Sequence, residues 1–163
     1  MKRSRSVRGG SLVEFALIFP LLFLLIVNVV NFGAYIYAWV SVANAARTGA
    51  QYLVMSAATI AAPRPATADQ VTAIITADGY SLLNKASLAV RICKNNNGTI
   101  TCSGAAGSNP PADPEPTKYV LASVDVTYTY NPFISLWSYP ALGIYATIPS
   151  STIHRRAVMR MMQ

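Results

Sequence analysis

The sequence predicts an α+β protein: a long N-terminal transmembrane helix that continues as a stalk, then a short helix and a small antiparallel β-sheet domain. Three observations carry this prediction. Phe15–Val27 contains no polar side chain, and the apolar run continues through Asn28 and Asn31 to Val40. Thr67-Ala68-Asp69-Gln70 has the form of a helix-capping box, Ser/Thr followed three residues later by Glu/Gln. Residues 119–130 alternate Val120, Ala122, Val124, Val126, Tyr128 and Tyr130 with Leu121, Ser123, Asp125, Thr127 and Thr129, the period-two pattern of a half-buried strand. The chain divides accordingly into a basic leader (1–9), a membrane and stalk helix (10–60) and an extracytoplasmic α+β domain (61–163).

The composition, 53% hydrophobic and 12% charged, is too apolar for an average soluble domain, and the excess lies in the N-terminal helix. Phe15–Tyr37 supplies 23 residues interrupted only by Asn28, Asn31 and Gly33, against the roughly 20 needed to cross a bilayer core. Lys2, Arg3, Arg5 and Arg8 precede this run and none of its residues is basic, which places the N-terminus in the cytoplasm and the later domain outside. Those four residues also carry over half of the net charge: without residues 1–9 it falls from +7 to +3. Arg155, Arg156 and Arg160 form the other basic cluster, read as a solvated strand face, so nucleic acid is not an expected partner.

Ala43-Asn44-Ala45 resembles a secretory cleavage site, which would make the mature chain a secreted protein starting near Ala46. The apolar stretch before it is much longer than the 7–15 residues of a signal peptide. No cysteine before Cys93 is present to take a lipid anchor. Val40–Ala58 is Ala-rich without proline, so the helix extends from about Ser11 to Ala58, roughly 70 Å, and Pro63 and Pro65 end it. Ala34, Ala38, Ser41, Ala45 and Gly49 recur every three or four residues. Such a stripe either permits close helix–helix approach or simply reflects alanine's helix propensity. Asn28 and Asn31 lie on one side of the helix and require hydrogen-bond partners in lipid, which neighbouring helices would supply.

Glu14 is a lone carboxylate at the mouth of the apolar run, after Gly9-Gly10-Ser11-Leu12-Val13. Residue chemistry alone reads it as an interfacial group near Arg8 that favours the positive helix end. The leader, Gly9, four residues, Glu14-Phe15 and the apolar helix together resemble a type IV prepilin signal. Leu12–Leu22, followed later by Ala45-Ala46-Arg47-Thr48-Gly49-Ala50, is similar to TadE-like minor pilins (pseudopilins) of the tight-adherence (Tad/Flp) type IV pilus system.

The resemblance implies a pilin-like fold and residence in the bacterial inner membrane as a single-pass protein, with the domain periplasmic or extracellular and a place in the pilus. It implies cleavage by a membrane prepilin peptidase beside Gly9 and Gly10; cutting after Gly9 makes Glu14 the fifth residue, the family's spacing, and cutting after Gly10 makes it the fourth. It further implies that the new amine at Gly10 and the Glu14 carboxylate neutralise one another, within or between subunits, with Phe15 beside them. Expected partners are the membrane, the peptidase, other pilins and the assembly machinery.

In the domain, Val71, Ile74, Ile75 and Leu82 give one helical face, which predicts a helix over 68–84 with a possible break at Asp78-Gly79. Strands are expected at 88–92, 120–130, 145–148 and 154–161, the last also compatible with helix. Phe133, Leu136 and Trp137 are expected to cover the sheet, and Gly104–Pro116 to form a mobile surface loop. Asn97-Gly98 is a hairpin turn. Mirror pairing about it sets Cys93 opposite Cys102 in a non-hydrogen-bonded pair with Cα atoms about 4.5 Å apart, within disulfide reach.

Catalytic groups are scarce. His154 is the only histidine and, beside Arg155 and Arg156, reads as a surface residue rather than a general base. No zinc spacing, phosphate-binding Gly-rich motif or nucleophile elbow occurs. The expectation is a non-enzymatic protein without cofactor, metal or small-molecule substrate, the alternative to a pilin being a membrane-anchored binding or sensor module.

Overall fold

The computed structural model describes the chain apart from residues 1–9, 58–65, 80–81, 83, 97, 111–118, 137, 140, 142–143 and 163. The leader with Gly9, the stops at Pro63 and Pro65, Asn97 of the turn, and Trp137 lie outside the described residues. The elements are α1 (Gly10–Ala57), α2 (Ala68–Asp78), a short 3-10 turn (Lys85–Ser87), β1 (Ala89–Asn96), β2 (Thr99–Gly104), β3 (Tyr119–Tyr130), β4 (Ser138–Tyr139), β5 (Ile144–Tyr145) and β6 (Ser151–Met162). They form an α+β protein of two compact units, Met1–Tyr35 with Pro132–Pro149, and Ile36–Asn131 with Ser150–Gln163.

The second unit is built on an antiparallel sheet in the order β2-β1-β3-β6. Its hairpin register is the one the Asn97-Gly98 turn dictates, Cys93 opposite Cys102, and the two form a disulfide with Cα atoms 4.1 Å apart. Gly98 has φ +89°, a conformation that side chains with a Cβ rarely adopt, and its N–H donates to Asn95 Oδ1 at 3.0 Å. The C-terminal segment, compatible with either helix or strand by propensity, is a strand, because twelve residues of β6 pair in register with the whole of β3.

One face of the sheet packs on the helices. Val42, Ala45, Ala46, Ala50 and Leu53 of α1, Val71 and Ile75 of α2, and Val124 and Val126 of β3 are each at most 1% exposed. Gly49 marks the tightest point: a Cβ there would stand 2.6 Å from Ile75 Cδ1 and 3.3 Å from Val124 Cγ1. Thr67 caps α2 as expected, accepting from the Gln70 N–H while Gln70 Oε1 accepts from the Thr67 N–H. The helix stops at Asp78 rather than reaching 84. Leu82 is buried beyond the stop, and Asn84 and Ser87 bond to Tyr128 Oη and the Thr129 carbonyl, so the segment is drawn onto β3.

The other face departs furthest from expectation. β3 was read as half-buried, yet Val120–Val126 is buried on both faces. A strap over 105–110, part of the segment expected to be a mobile loop, covers this side. The Ala105 N–H donates to the Val90 carbonyl, Arg91 donates to Asn109 Oδ1, and Arg156 donates to the Ser108 and Asn109 carbonyls at 2.9 and 3.2 Å. Beneath it, Asp125 is 4% exposed and takes Arg156 through Nε to Oδ1 and through Nη2 to Oδ2 at 3.0 Å. Asp125 faces Arg91 in register on β1 and Arg156 on β6.

Arg155 and Arg156 are therefore not part of a solvated strand face, although Arg160 is exposed. Adjacent strand residues point to opposite faces, so Arg156 holds Asp125 while the Arg155 guanidinium stacks 3.7 Å from the Trp39 ring centroid of α1. His154 stays on the surface, its side chain 51% exposed and Nε2 3.7 Å from Asp125 Oδ1.

In the first unit, the expected strand at 145–148 is only Ile144–Tyr145, paired with Ser138–Tyr139 in a separate two-stranded ribbon. Beyond the ribbon, the Ala146 carbonyl accepts from Asn28 instead of a strand neighbour, and Thr147 Oγ1 accepts from the Leu136 N–H. Phe133 and Leu136 belong to this unit, and Phe133 is 66% exposed.

Removing one partner of a buried ion pair leaves an uncompensated charge, at a cost of about 3 kcal/mol. Arg156→Met should lower the urea midpoint of the sheet, followed by Trp39 fluorescence in detergent, by that equivalent. Asp125→Leu in the same chain should recover most of the loss.

Candidate functional site

Gly10 is the first residue of α1 and is exposed, and Glu14 lies exposed one turn further along. A helix end influences charges mainly within its first turn. No acidic residue lies in the first turn of α1 as described. Residues four apart share a helix face, so Gly10 and Glu14 lie on the same side of α1.

Beyond Glu14 the helix presents apolar side chains on every side. Leu12, Phe15, Leu17, Leu21, Leu25 and their neighbours are at least 39% exposed up to Ile26, and Val27 is the first buried residue. Phe15, Phe19 and Phe23 stack at centroid distances of 5.7 and 6.4 Å, with Pro20 between them. The apolar run is almost entirely uncovered by the rest of the chain, unlike the core helix of a soluble protein. Its length and composition fit a single-pass membrane anchor.

Asn28 and Asn31 share one face, and the partners they find are in their own chain. Asn31 is fully buried. Its Nδ2 donates to the Ile134 carbonyl at 2.7 Å and its Oδ1 accepts from the Ile134 N–H at 3.1 Å, so the side-chain amide takes the place of a neighbouring strand. Asn28 Nδ2 donates to Leu24 O and Ala146 O, both at 2.9 Å. The 132–149 lobe is thus hung on the helix by two amides. Nothing in the composition of the lobe announces this, because the bonds run to its backbone.

The small-residue stripe meets two environments. Ala34 is half-buried, whereas Ala38, Ala45 and Gly49 are buried, and Gly49 lies against Ile75 and Val124 of the same chain. Arg47 is exposed on the rim of a groove that includes Trp39 and Arg155. Asp125 and the two opposed arginines escaped sequence reasoning, although consecutive arginines on a strand must serve both faces. Among the described residues no three His, Cys, Asp or Glu side chains gather as a metal site.

Asn31→Leu keeps the apolar character of α1 but strips Ile134 of both partners, costing about 1–3 kcal/mol per orphaned group. Amide hydrogen exchange should accelerate selectively in 132–149 and stay unchanged in β3, which distinguishes release of the lobe from general unfolding.

A family model described as TadE-like protein matches residues 9–51. No curated protein and no solved structure matches the chain. From the residue before α1 begins, through the exposed apolar run, to the small buried residues Ala45–Ala50, the chain is similar to TadE-like proteins.

Proposed function

We propose that this chain is a minor pilin, a pseudopilin, acting in assembly of a tight-adherence type IV pilus. The observation that carries the reading is that the TadE-like match takes in the stretch of α1 whose apolar surface the chain leaves uncovered. Such a surface in a single-pass anchor has two environments available, lipid and the helices of other pilins, and a pilin exchanges the first for the second. α1 holds the protein in the bacterial inner membrane, with the leader cytoplasmic and the sheet-bearing unit periplasmic or extracellular.

A prepilin peptidase removes residues 1–9, and Gly9 offers it a small residue at the cut. The mature chain then opens with an amine at Gly10, one turn from Glu14. The two charges neutralise one another within or between subunits, an interaction that strengthens as both leave water. In this reading Phe15 and the half-buried Ala34 approach other pilins, while the buried Ala38, Ala45 and Gly49 serve the chain's own fold. The protein is a substrate of processing rather than a catalyst, and needs no cofactor.

Gly9→Leu should keep the leader, seen as an intact mass of the membrane-bound protein; normal trimming in that variant would remove the prepilin reading. Glu14→Gln should be inserted, trimmed and as stable as the parent, yet fail to co-purify with partner pilins. Normal co-purification and normal piliation would reduce Glu14 to a helix-end residue.

A further inference from the structure

The 132–149 lobe has a composition unlike the rest of the chain outside α1. No charged residue or histidine occurs between Asp125 and His154, and the lobe holds Phe133, Trp137, Tyr139 and Tyr145. Phe133 is 66% and Tyr145 44% exposed. Aromatic, uncharged surface is costly in bulk water and favourable at the headgroup level of a bilayer, where a ring finds both apolar and polar surroundings.

The lobe's attachment places it at that level. Its bonds to Asn28 and Asn31 lie about 27 and 32 Å along α1 from Gly10, at 1.5 Å per residue. A bilayer core is about 30 Å thick. The uninterrupted exposed run of α1 ends at Ile26, with Val27 buried, so the two amides follow directly on the stretch that lipid can cover. Lipid-exposed irregular backbone is not tolerated inside the hydrocarbon, so the lobe cannot sit deeper. Attachment through Asn28 and Asn31 keeps it from sitting much higher. Its exposed rings belong to the same compact unit as the uncovered apolar run of α1.

We propose that the 132–149 lobe is a membrane-interface collar: a chain segment docked on the anchor helix that lays Phe133 and Tyr145 into the headgroup region of the outer leaflet and sets the depth of the helix. Its partner is the lipid surface itself. The proposal rests on α1 being the membrane anchor, and not on processing or pilus assembly.

Both native cysteines are in the disulfide, so a single added cysteine takes a fluorescent label uniquely. The full chain is reconstituted one copy per nanodisc with lipids carrying a nitroxide quencher near the headgroup. Labels are placed at Ser135→Cys and Ala141→Cys, both exposed in the lobe, at Leu22→Cys in the exposed run of α1, and at Ala73→Cys, exposed on α2. The lobe labels should be quenched at least about threefold more than the Ala73 label, as interfacial sites are. Lobe labels quenched no more than Ala73, with Leu22 still in contact with lipid, would overturn the collar alone. Absence of lipid contact at Leu22 as well would overturn the anchor on which it rests. With no second copy in the disc, quenching of the lobe cannot come from a partner pilin.

Discussion

Close approach of α1 to the sheet at Gly49 is the constraint on which the sheet-bearing unit depends. A side chain there would collide with Ile75 and Val124, both fully buried, and flanking Ala45, Ala46 and Ala50 leave the helix equally slim along this face. Dense interiors tolerate little added volume. Most of the stalk is therefore a core element of the domain rather than a spacer. The same helix carries its bulky residues, Leu, Ile and Phe, where the chain leaves it uncovered, and its small ones where a sheet must come near. Side-chain size, rather than polarity, separates the two jobs.

Polar groups do the specifying work in both units. Asp125 sits under a strap whose backbone carbonyls are gathered by the same Arg156 that neutralises it, so the second face of the sheet closes around one charge pair. A buried pair of this kind contributes less to stability than to uniqueness of arrangement, because desolvation offsets much of its attraction. Asn31 plays the corresponding part in the first unit. Its amide satisfies both backbone groups of Ile134, so the irregular backbone of a lobe with few strand pairs acquires a defined register on the helix.

What the sequence by itself determined is local. Run length and charge asymmetry mark the membrane helix, Thr67 and Gln70 start α2, period two identifies β3, and Asn97-Gly98 sets the hairpin and with it the Cys93–Cys102 pairing. Each signal lies within a short stretch and acts through backbone geometry or burial of its own residues. The likeness to TadE-like proteins was legible in the same way, through the spacing from Gly9 to Glu14-Phe15 and the stretch Leu12–Leu22. Tertiary structure alone decided what covers each surface. It drew Leu82 and Asn84 towards β3 beyond the break at Asp78-Gly79, made 151–162 a strand by pairing it with β3, and buried β3 on both faces. It also split Arg155 from Arg156, and turned Asn28 and Asn31 towards residues more than a hundred positions away. A side-chain amide or guanidinium has no preferred partner until the fold brings one within reach, and a backbone carbonyl that accepts from it leaves no trace in the residue type.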